Sequence, residues 1–221
     1  MPRDCVKTRC SCAYAGSIGA VITAATPKGE RRRCALVSAA ADLLCEGGFD
    51  AVRHRAVAQR AGLPLASTTY YFSSLDDLIV KAVEQVGERE SRQLQTRVST
   101  LSRRRRGADA TADLLVDLLV GDGSRVSEQL ISRYERYIAC ARQPALRDVQ
   151  RRVLKQRSAA VVEVVERSGR AVRAELLTAL VCAVDGAVVA SMVGDGDGPR
   201  ATARATLVDV IDVLAPYDAV R

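Results

Sequence analysis

The side chains with the clearest capacity for chemistry lie between residues 50 and 80, where basic groups and phenolic hydroxyls occur close together in the chain. Arg53, His54 and Arg55 are consecutive, and donors of this kind match the oxygens of phosphate groups. Tyr70 and Tyr71 are adjacent, and neighbouring residues on a helix point about 100° apart, so both rings cannot easily be buried. At least one of the two hydroxyls is therefore expected at the surface, within reach of a polyanion.

Two short helices are expected to position these side chains. Residues 53–61 carry small apolar side chains at helical spacing, with basic and polar side chains between them. Gly62 ends this run, because glycine enters the left-handed region without a Cβ penalty, and Pro64 suits the first position of a second helix that extends to Phe72. Two helices joined by a short glycine-containing turn form a helix-turn-helix unit, whose second helix enters the DNA major groove.

The segment AVAQRAGLPLASTTYYFSSLDDL, residues 56–78, resembles the N-terminal DNA-binding segment of TetR-type (TetR/AcrR-like) transcriptional regulators. The resemblance is specific over about residues 30–80 and only architectural beyond them. It implies an all-α protein, with an N-terminal three-helix domain that contains the helix-turn-helix and a C-terminal helical domain for ligand binding and dimerisation. The candidate DNA-binding residues are Arg53, His54, Arg55, Leu65, Ala66, Ser67, Thr69, Tyr70 and Tyr71.

Several positions depart from the family pattern. Ala66 stands where the family usually has glycine, and its small side chain nearly preserves the close approach to DNA bases. Leu65 replaces a common lysine, so contact with thymine methyl groups is expected in place of one phosphate contact. Thr69 replaces a common tyrosine, and Leu75 replaces a lysine that binds phosphate in many relatives. Residues 53–55 replace small hydroxyl residues and are placed to hold the DNA backbone.

Composition and charge agree with a folded protein that binds a polyanion. Apolar residues make up 48% of the 221 residues and charged residues 27%, which supports a packed core and argues against global disorder. The net charge of +7 favours a polyanionic partner, either nucleic acid or an acidic membrane surface. The seven cysteines are an odd number in a chain long enough not to need disulfides, so reduced thiols of a cytoplasmic protein are expected.

Residues 1–27 are predicted to form a flexible basic arm. Their apolar run is too short to span a bilayer as a helix, and secretion would strand a DNA-binding segment outside the cell. Cys5, Cys10 and Cys12 form a weak metal-binding pattern because no convincing fourth ligand accompanies them. The sequence therefore predicts no bound metal and no cofactor.

Residues 28–88 are predicted to form the DNA-binding domain. Its first helix spans about Lys28 to Gly47, and Gly47-Gly48 ends it. A later helix begins at Ser74, with acidic residues in the first turn where the helix dipole favours them. The polar composition beyond Gly87 indicates that this helix leaves one core and enters another, so residues 89–221 are assigned to a helical effector-binding and dimerisation domain.

The C-terminal domain is predicted to contain two apolar helices, over residues 171–193 with an interruption at Asp185-Gly186 and over residues 202–214. A helix that is apolar on every face is either buried in a large core or spans a membrane. Asp185 would lie near the middle of such a span, at a cost of about 2.5–3.5 kcal/mol, and this argues against a membrane. The remaining explanation is that the helix is buried between its own domain and a partner subunit. The family resemblance also implies a homodimer.

One helix offers candidates for a ligand site. Tyr134 and Tyr137 share a helix face, and tyrosine supplies both ring area and a hydroxyl to a pocket. Cys140 follows on the same helix, and Asp185 is a candidate partner from the apolar helix. Each has an alternative role: the tyrosines and Cys140 as core packing, and Asp185 as the cap of a kink. The expected effector is an unidentified small molecule, mainly apolar with one or two polar groups.

No enzymatic constellation is found in the sequence. The single histidine lies in the DNA-binding segment, so Ser-His-Asp and Cys-His arrangements lack a base elsewhere. The sequence therefore favours a dimeric regulator, most simply a repressor that leaves double-stranded operator DNA when an effector binds. Two alternatives remain: a helical ligand-binding or enzymatic domain that merely kept the helix-turn-helix, and a thiol-based redox sensor.

Overall fold

The computed structural model describes residues 26–121, 126–194 and 196–218. Within these ranges the chain forms helices, with one isolated bridge between Arg170 and Tyr217, and this confirms the all-α prediction. The helices are α1 (Pro27–Ala51), α2 (His54–Ala61), α3 (Ala66–Tyr71), α4 (Leu75–Ser99), α5 (Ala108–Leu119), α6 (Val126–Arg142), α7 (Pro144–Arg167), α8 (Ala174–Ser191) and α9 (Gly198–Leu214). Most of the predicted N-terminal arm, with Cys5, Cys10 and Cys12, lies outside the described residues.

Local signals set the ends of α1. The Thr26 hydroxyl accepts a hydrogen bond from the backbone amide of Gly29 at 3.2 Å and caps the first turn. Gly47 and Gly48 depart from helical geometry, and Gly48 has a φ of 65° that an L-residue rarely adopts. The chain resumes one helical turn beyond this break, so the predicted end at Gly47 marks a kink rather than the last residue.

The helix-turn-helix forms as predicted, with one shift. Gly62 adopts the left-handed conformation, φ 64° and ψ 33°, and its amide donates to the carbonyls of Ala58 and Gln59, which closes α2. Pro64 does not open α3: its carbonyl accepts from the Ser67 amide in a tight turn, and regular helix begins at Ala66. The second helix is therefore shorter than expected, and Phe72 caps its C-terminus from the core.

Two hydrophobic clusters organise the described residues, and α4 joins them. The N-terminal cluster is built on α1, α2, Phe72 and the first half of α4, with Leu36, Leu44, Val57 and Leu78 among its most buried members. The C-terminal cluster contains Val98 near the end of α4 and the buried faces of α5 to α9. Ser74 caps α4 by accepting from the Asp77 amide at 3.1 Å, as its sequence position predicts.

The N-terminal cluster also recruits residues from far along the chain. Cys140 at the end of α6, and Leu146 and Val149 at the start of α7, are buried in it. The helices α1 and α6 are in contact, and the Ser132 hydroxyl donates to the Leu44 carbonyl at 3.3 Å. The division near residue 88 stays a prediction, and the N-terminal core is completed by residues well beyond it.

The helices α8 and α9 pack along each other and close the C-terminal cluster. Leu180, Val184 and Val188 on α8, and Leu207 and Ile211 on α9, are buried. Asp185-Gly186 does not interrupt α8, which runs unbroken to Ser191, so the predicted break is wrong. By length and composition α8 is the one helix among the described residues that is apolar enough to cross a membrane. Its inner face packs on α9 and on the C-terminal cluster.

Candidate DNA-binding surface and ligand cavity

The outward face of α3 and the turn before it consist largely of residues proposed for DNA contact. Leu65 is 54% exposed and Tyr70 is 80% exposed, while Ala66 and Thr69 are also exposed and Ser67 is half-buried. These side chains are not held in the chain's own core, so they project from the surface of the domain. The structure therefore leaves these candidates free to meet a ligand from outside.

The inward face of α3 is anchored by two residues that the site prediction did not include. Thr68 is fully buried, and its hydroxyl donates to the Leu65 carbonyl at 2.8 Å. Phe72 is buried four residues later, at helical spacing. This spacing was the signal available in the sequence for Thr68, although a buried threonine among exposed hydroxyl residues carries no distinctive pattern.

The two adjacent tyrosines lie in different environments, as the 100° rotation between them requires. Their ring centroids are 4.9 Å apart with an interplanar angle of 89°, an edge-to-face contact. Tyr71 is half-buried, and its hydroxyl lies 3.6 Å from where a Cβ on Gly29 would be, which places it beside the first turn of α1. The first two turns of α1 also carry three exposed basic residues, Lys28, Arg31 and Arg32. The Tyr71 hydroxyl thus borders a basic helix start.

The basic residues at the start of α2 differ in their exposure and in their hydrogen bonds. Arg53 is exposed and donates to the Asp50 carbonyl at 3.0 Å and to its carboxylate at 3.3 Å. Arg55 is exposed, whereas His54 is half-buried, and its buried Nδ1 has no hydrogen-bond partner in the described part of the chain. Arg60, on the same helix, makes a bidentate pair with Glu46 at 2.9 and 2.7 Å, which ties α2 to α1.

Three of the four ligand-site candidates meet in the C-terminal region. The Tyr134 hydroxyl donates to Asp185 Oδ1 at 2.8 Å, and the Tyr134 and Tyr137 rings make an edge contact with centroids 5.7 Å apart. Asp185 also receives two hydrogen bonds from the Arg157 guanidinium, at 2.9 and 2.7 Å. Cys140 is not part of this group, because it is buried in the N-terminal cluster.

Arg157 is the central residue that sequence reasoning missed. It is 5% exposed, and its pairing with Asp185 explains why an acidic residue lies in the apolar helix α8. Burial lowers the pKa of the Arg157 guanidinium, but the hydrogen bonds and charge of Asp185 outweigh this and raise it, so the group stays charged. Burial, reinforced by Asp185, raises the pKa of the Tyr134 hydroxyl, which stays protonated as a donor. Arginines and apolar residues are interspersed along α7, so the sequence did not distinguish Arg157 from the other arginines of that helix.

A cavity of about 100 Å³ lies between α4, the end of α5, α6 and α7. Tyr137 and Arg157 line it, whereas Tyr134 and Asp185 stand behind Arg157 and hold it in place. Its remaining walls are both apolar and charged: Glu90, Ser91, Gln93, Leu94, Arg97, Leu118, Leu119, Val120, Gly121, Gln129, Arg133 and Val153. The lining carries more charge than the sequence predicted.

The described cysteines form no disulfide, and none of the described acidic, histidine and cysteine side chains cluster in a way that could hold a metal ion. Cys140 is fully buried, and burial raises the pKa of its thiol. A raised pKa lowers the thiolate fraction of Cys140, on which oxidation depends.

Comparison with protein families gives two matches that together span most of the chain. Residues 36–82 match the model described as bacterial regulatory proteins, tetR family. Residues 106–213 match the tetracyclin repressor-like C-terminal domain. The first match contains the helix-turn-helix. The second contains α8, nearly all of α9 and the cavity walls from α5, α6 and α7, whereas the α4 wall of the cavity lies outside it. No curated protein sequence matches the chain significantly.

Solved structures show the same architecture over nearly their whole length. The multidrug binding protein EbrR, complexed with proflavin, is 29% identical, with a TM-score of 0.61 over 81% of this chain and 99% of that one. A TetR family member from Streptomyces coelicolor A3 is 28% identical, with a TM-score of 0.57 over 81% and 97%. A transcriptional regulator from Saccharomonospora viridis, in complex with choline, is 18% identical, with a TM-score of 0.65 over 84% and 97%.

Proposed function

Because the chain belongs to the TetR family of bacterial transcriptional regulators, we propose that it is a repressor that binds a palindromic operator as a homodimer. A small-molecule effector in the C-terminal cavity releases it from DNA. Its action is regulation by binding rather than catalysis, and it acts in the cytoplasm, where its operator is.

The outward face of α3 is the observation that carries DNA binding. The helix rests on buried Thr68 and Phe72, and this anchoring leaves Leu65 and Tyr70 exposed in a fixed direction. A recognition helix needs this arrangement, because its position against the base edges must be set by the domain core. Arg53, Arg55 and the basic first turns of α1 supply positive charge around it for the phosphate backbone.

The proposed dimer interface is the outer surface of α8 and α9. The helix α8 has a mean hydropathy of 1.7, yet only 17% of it is buried within its own chain. Val189 is 48% exposed and Val193 92%, and Val213 on α9 is 74% exposed. Apolar surface of this extent is stabilised by a second subunit, and twofold dimers are the commonest oligomers. A twofold axis here also provides two recognition helices for the two halves of a palindrome.

Helix α4 provides the connection from the cavity to the DNA-binding surface. Arg89 donates to Asp42 at 2.5 Å and to Ser38 at 2.9 Å, and so attaches α4 to α1. The next residue, Glu90, lines the cavity and accepts from buried Arg136 at 2.6 Å. An effector that moves α4 changes the separation of the two recognition helices, which must match successive major grooves about 34–36 Å apart.

Effector binding gains support from the ligands named in similar structures, proflavin in EbrR and choline in the Saccharomonospora regulator. Release requires that the effector prefer the arrangement with low DNA affinity, and linkage then requires that DNA weaken effector binding by the same factor.

Footprinting on the DNA upstream of the protein's own gene tests this function directly. The expected result is a protected site with twofold symmetry, occupied by two chains and resistant to excess competitor DNA. Binding that random competitor DNA abolishes at equal mass, or a stoichiometry of one chain per site, would contradict the proposal.

A further inference from the structure

We propose that the cavity lined by Tyr137, Arg133 and Arg157 takes a small organic anion, of the class of single-ring or short-chain carboxylates. This inference rests on the proposed function only for the role of the ligand as effector. The chemistry of the site is argued from the cavity itself.

Among the described residues, the positive charge of Arg133 has no carboxylate partner. Its guanidinium donates to the backbone carbonyl of Leu119 at 2.6 Å, and no described acidic group lies within ion-pair distance of it. The acidic residue in the lining, Glu90, is already paired with Arg136, whose side chain is only 4% exposed. The cavity therefore presents Arg133, a cation with no described carboxylate partner, and Glu90, a carboxylate already paired with Arg136.

Arg157 presents a second unmet donor. Its two terminal nitrogens donate to Asp185, but its Nε is buried and has no hydrogen-bond partner among the residues that the structure describes. A buried polar group without a partner costs free energy, and native structures seldom leave one without a reason. A ligand oxygen accepting from Nε removes that cost. Tyr137 lines the same cavity, and its hydroxyl is a further donor.

The size and the apolar walls limit what carries the negative charge. About 100 Å³ is somewhat smaller than the roughly 150 Å³ cavity that accommodates benzene in another protein. Leu94, Leu118 and Val153 supply apolar surface for a ring or a short alkyl chain. A carboxylate meets the arginines with charge-assisted hydrogen bonds, which are roughly twice as strong as neutral ones. A cation such as choline meets Arg133 and Arg157 with the wrong sign.

Calorimetry on the full-length protein with matched probes tests the proposal. Benzoate, hexanoate, benzamide, benzylamine and choline are titrated, because benzamide keeps the shape of benzoate without its charge and benzylamine reverses the charge. Benzoate or hexanoate should bind at least about tenfold more tightly than benzamide and the two cations. Tighter binding of benzylamine or choline, or no binding of either carboxylate, would overturn the proposal.

Arg133→Gln is the decisive variant, with Arg133→Lys and Arg147→Gln beside it. Loss of the charge should weaken carboxylate binding by about tenfold or more, and lysine should restore part of it. Arg147 is an exposed arginine on α7 that also donates to a backbone carbonyl, at 3.0 Å, so Arg147→Gln is a matched control that should bind like the wild type. Equal carboxylate affinity in Arg133→Gln and Arg147→Gln would sink the assignment.

An operator-release assay separates this proposal from the proposed function. Carboxylates that bind through Arg133 yet leave the protein on its operator uphold the anion site and contradict its role as the effector site. Release by benzylamine or choline, without release by a carboxylate, upholds the regulator and contradicts the anion site.

Discussion

Gly87 on α4 and Val153 on α7 meet so closely that a Cβ added to Gly87 would lie 2.5 Å from Val153 Cγ2. Gly87 is buried at the point where α4 leaves the N-terminal cluster, and Val153 lines the cavity. Val153 therefore touches the α4 backbone at Gly87 without any intervening side chain. A ligand that displaces Val153 pushes directly on the helix that carries Arg89 and its attachment to α1.

The first prediction concerns this contact. Gly87→Ala should destabilise the wild type, because overpacking costs about 1–3 kcal/mol and exceeds the gain of about 1 kcal/mol in helix propensity. In a Val153→Ala background the same substitution should stabilise, since the clash is gone. Operator affinity should fall in Gly87→Ala and recover in the double variant. Thermal unfolding and fluorescence anisotropy measure both quantities, and an effect of the same sign in both backgrounds would contradict the packing argument.

The second prediction concerns the recognition helix. Tyr71→Phe removes only a hydroxyl and Tyr70→Ala removes an exposed ring, so neither should change the stability of the folded protein. Each should weaken operator binding by about tenfold, the usual cost of losing a hydrogen bond to a charged group. Ile138→Ala, which alters a 57% exposed residue on α6, serves as the control and should bind normally. Wild-type operator affinity in both tyrosine variants would remove α3 from the recognition role.

The salt dependence of operator affinity reports the number of phosphate contacts. With six to ten contacts, affinity should fall by roughly 10³–10⁵-fold between about 50 and 200 mM salt. Leu65 and Leu75 stand where many relatives of this family carry lysine, so the slope should lie toward the shallow end of this range. An Arg55→Gln variant should reduce the slope by about one phosphate contact.

The signals that could be interpreted from the sequence are local ones. Gly62 ends α2 through its own left-handed φ. The Ser74 hydroxyl caps α4 by accepting from the amide of Asp77, three residues away. Pro144 is the first residue of α7. Each of these depends on chemistry within one helical turn, and each was predicted correctly.

What could not be predicted depends on partners distant in sequence. The burial of Cys140 requires α6 to reach the N-terminal cluster, and the pairing of Arg157 with Asp185 joins residues 28 positions apart. Asp185 looked like a break in an apolar helix because its partner lies on another helix. Arginines are common on amphipathic helices, so no pattern distinguished the one that is buried.

The third prediction concerns assembly and depends on which face of each helix is exposed. Val189→Glu and Val213→Glu place charges on the exposed apolar surface, so they should give folded monomers on sizing with light scattering. Val188→Glu and Ile211→Glu alter residues buried within the chain's own core, 1% and 0% exposed, so they should unfold the protein instead. Helical content by circular dichroism distinguishes the two outcomes. A dimer of normal size in both exposed-face variants would move the interface elsewhere.

The last prediction concerns Asp185 and the buried arginine that it holds. Asp185→Ala leaves Arg157 charged and unpaired inside the C-terminal cluster, and breaking a buried pair in this way costs about 3–5 kcal/mol. Replacing both partners, as Arg157→Met with Asp185→Leu, removes the stranded charge and should recover most of that loss. Urea unfolding monitored by circular dichroism measures the difference. Tyr137→Phe removes one hydroxyl and leaves the Asp185–Arg157 pair intact. Stability and operator affinity should therefore stay unchanged, while release by the effector weakens. If the double replacement also responds normally to the effector, the pair is a packing element and Arg157 takes no part in recognising the ligand.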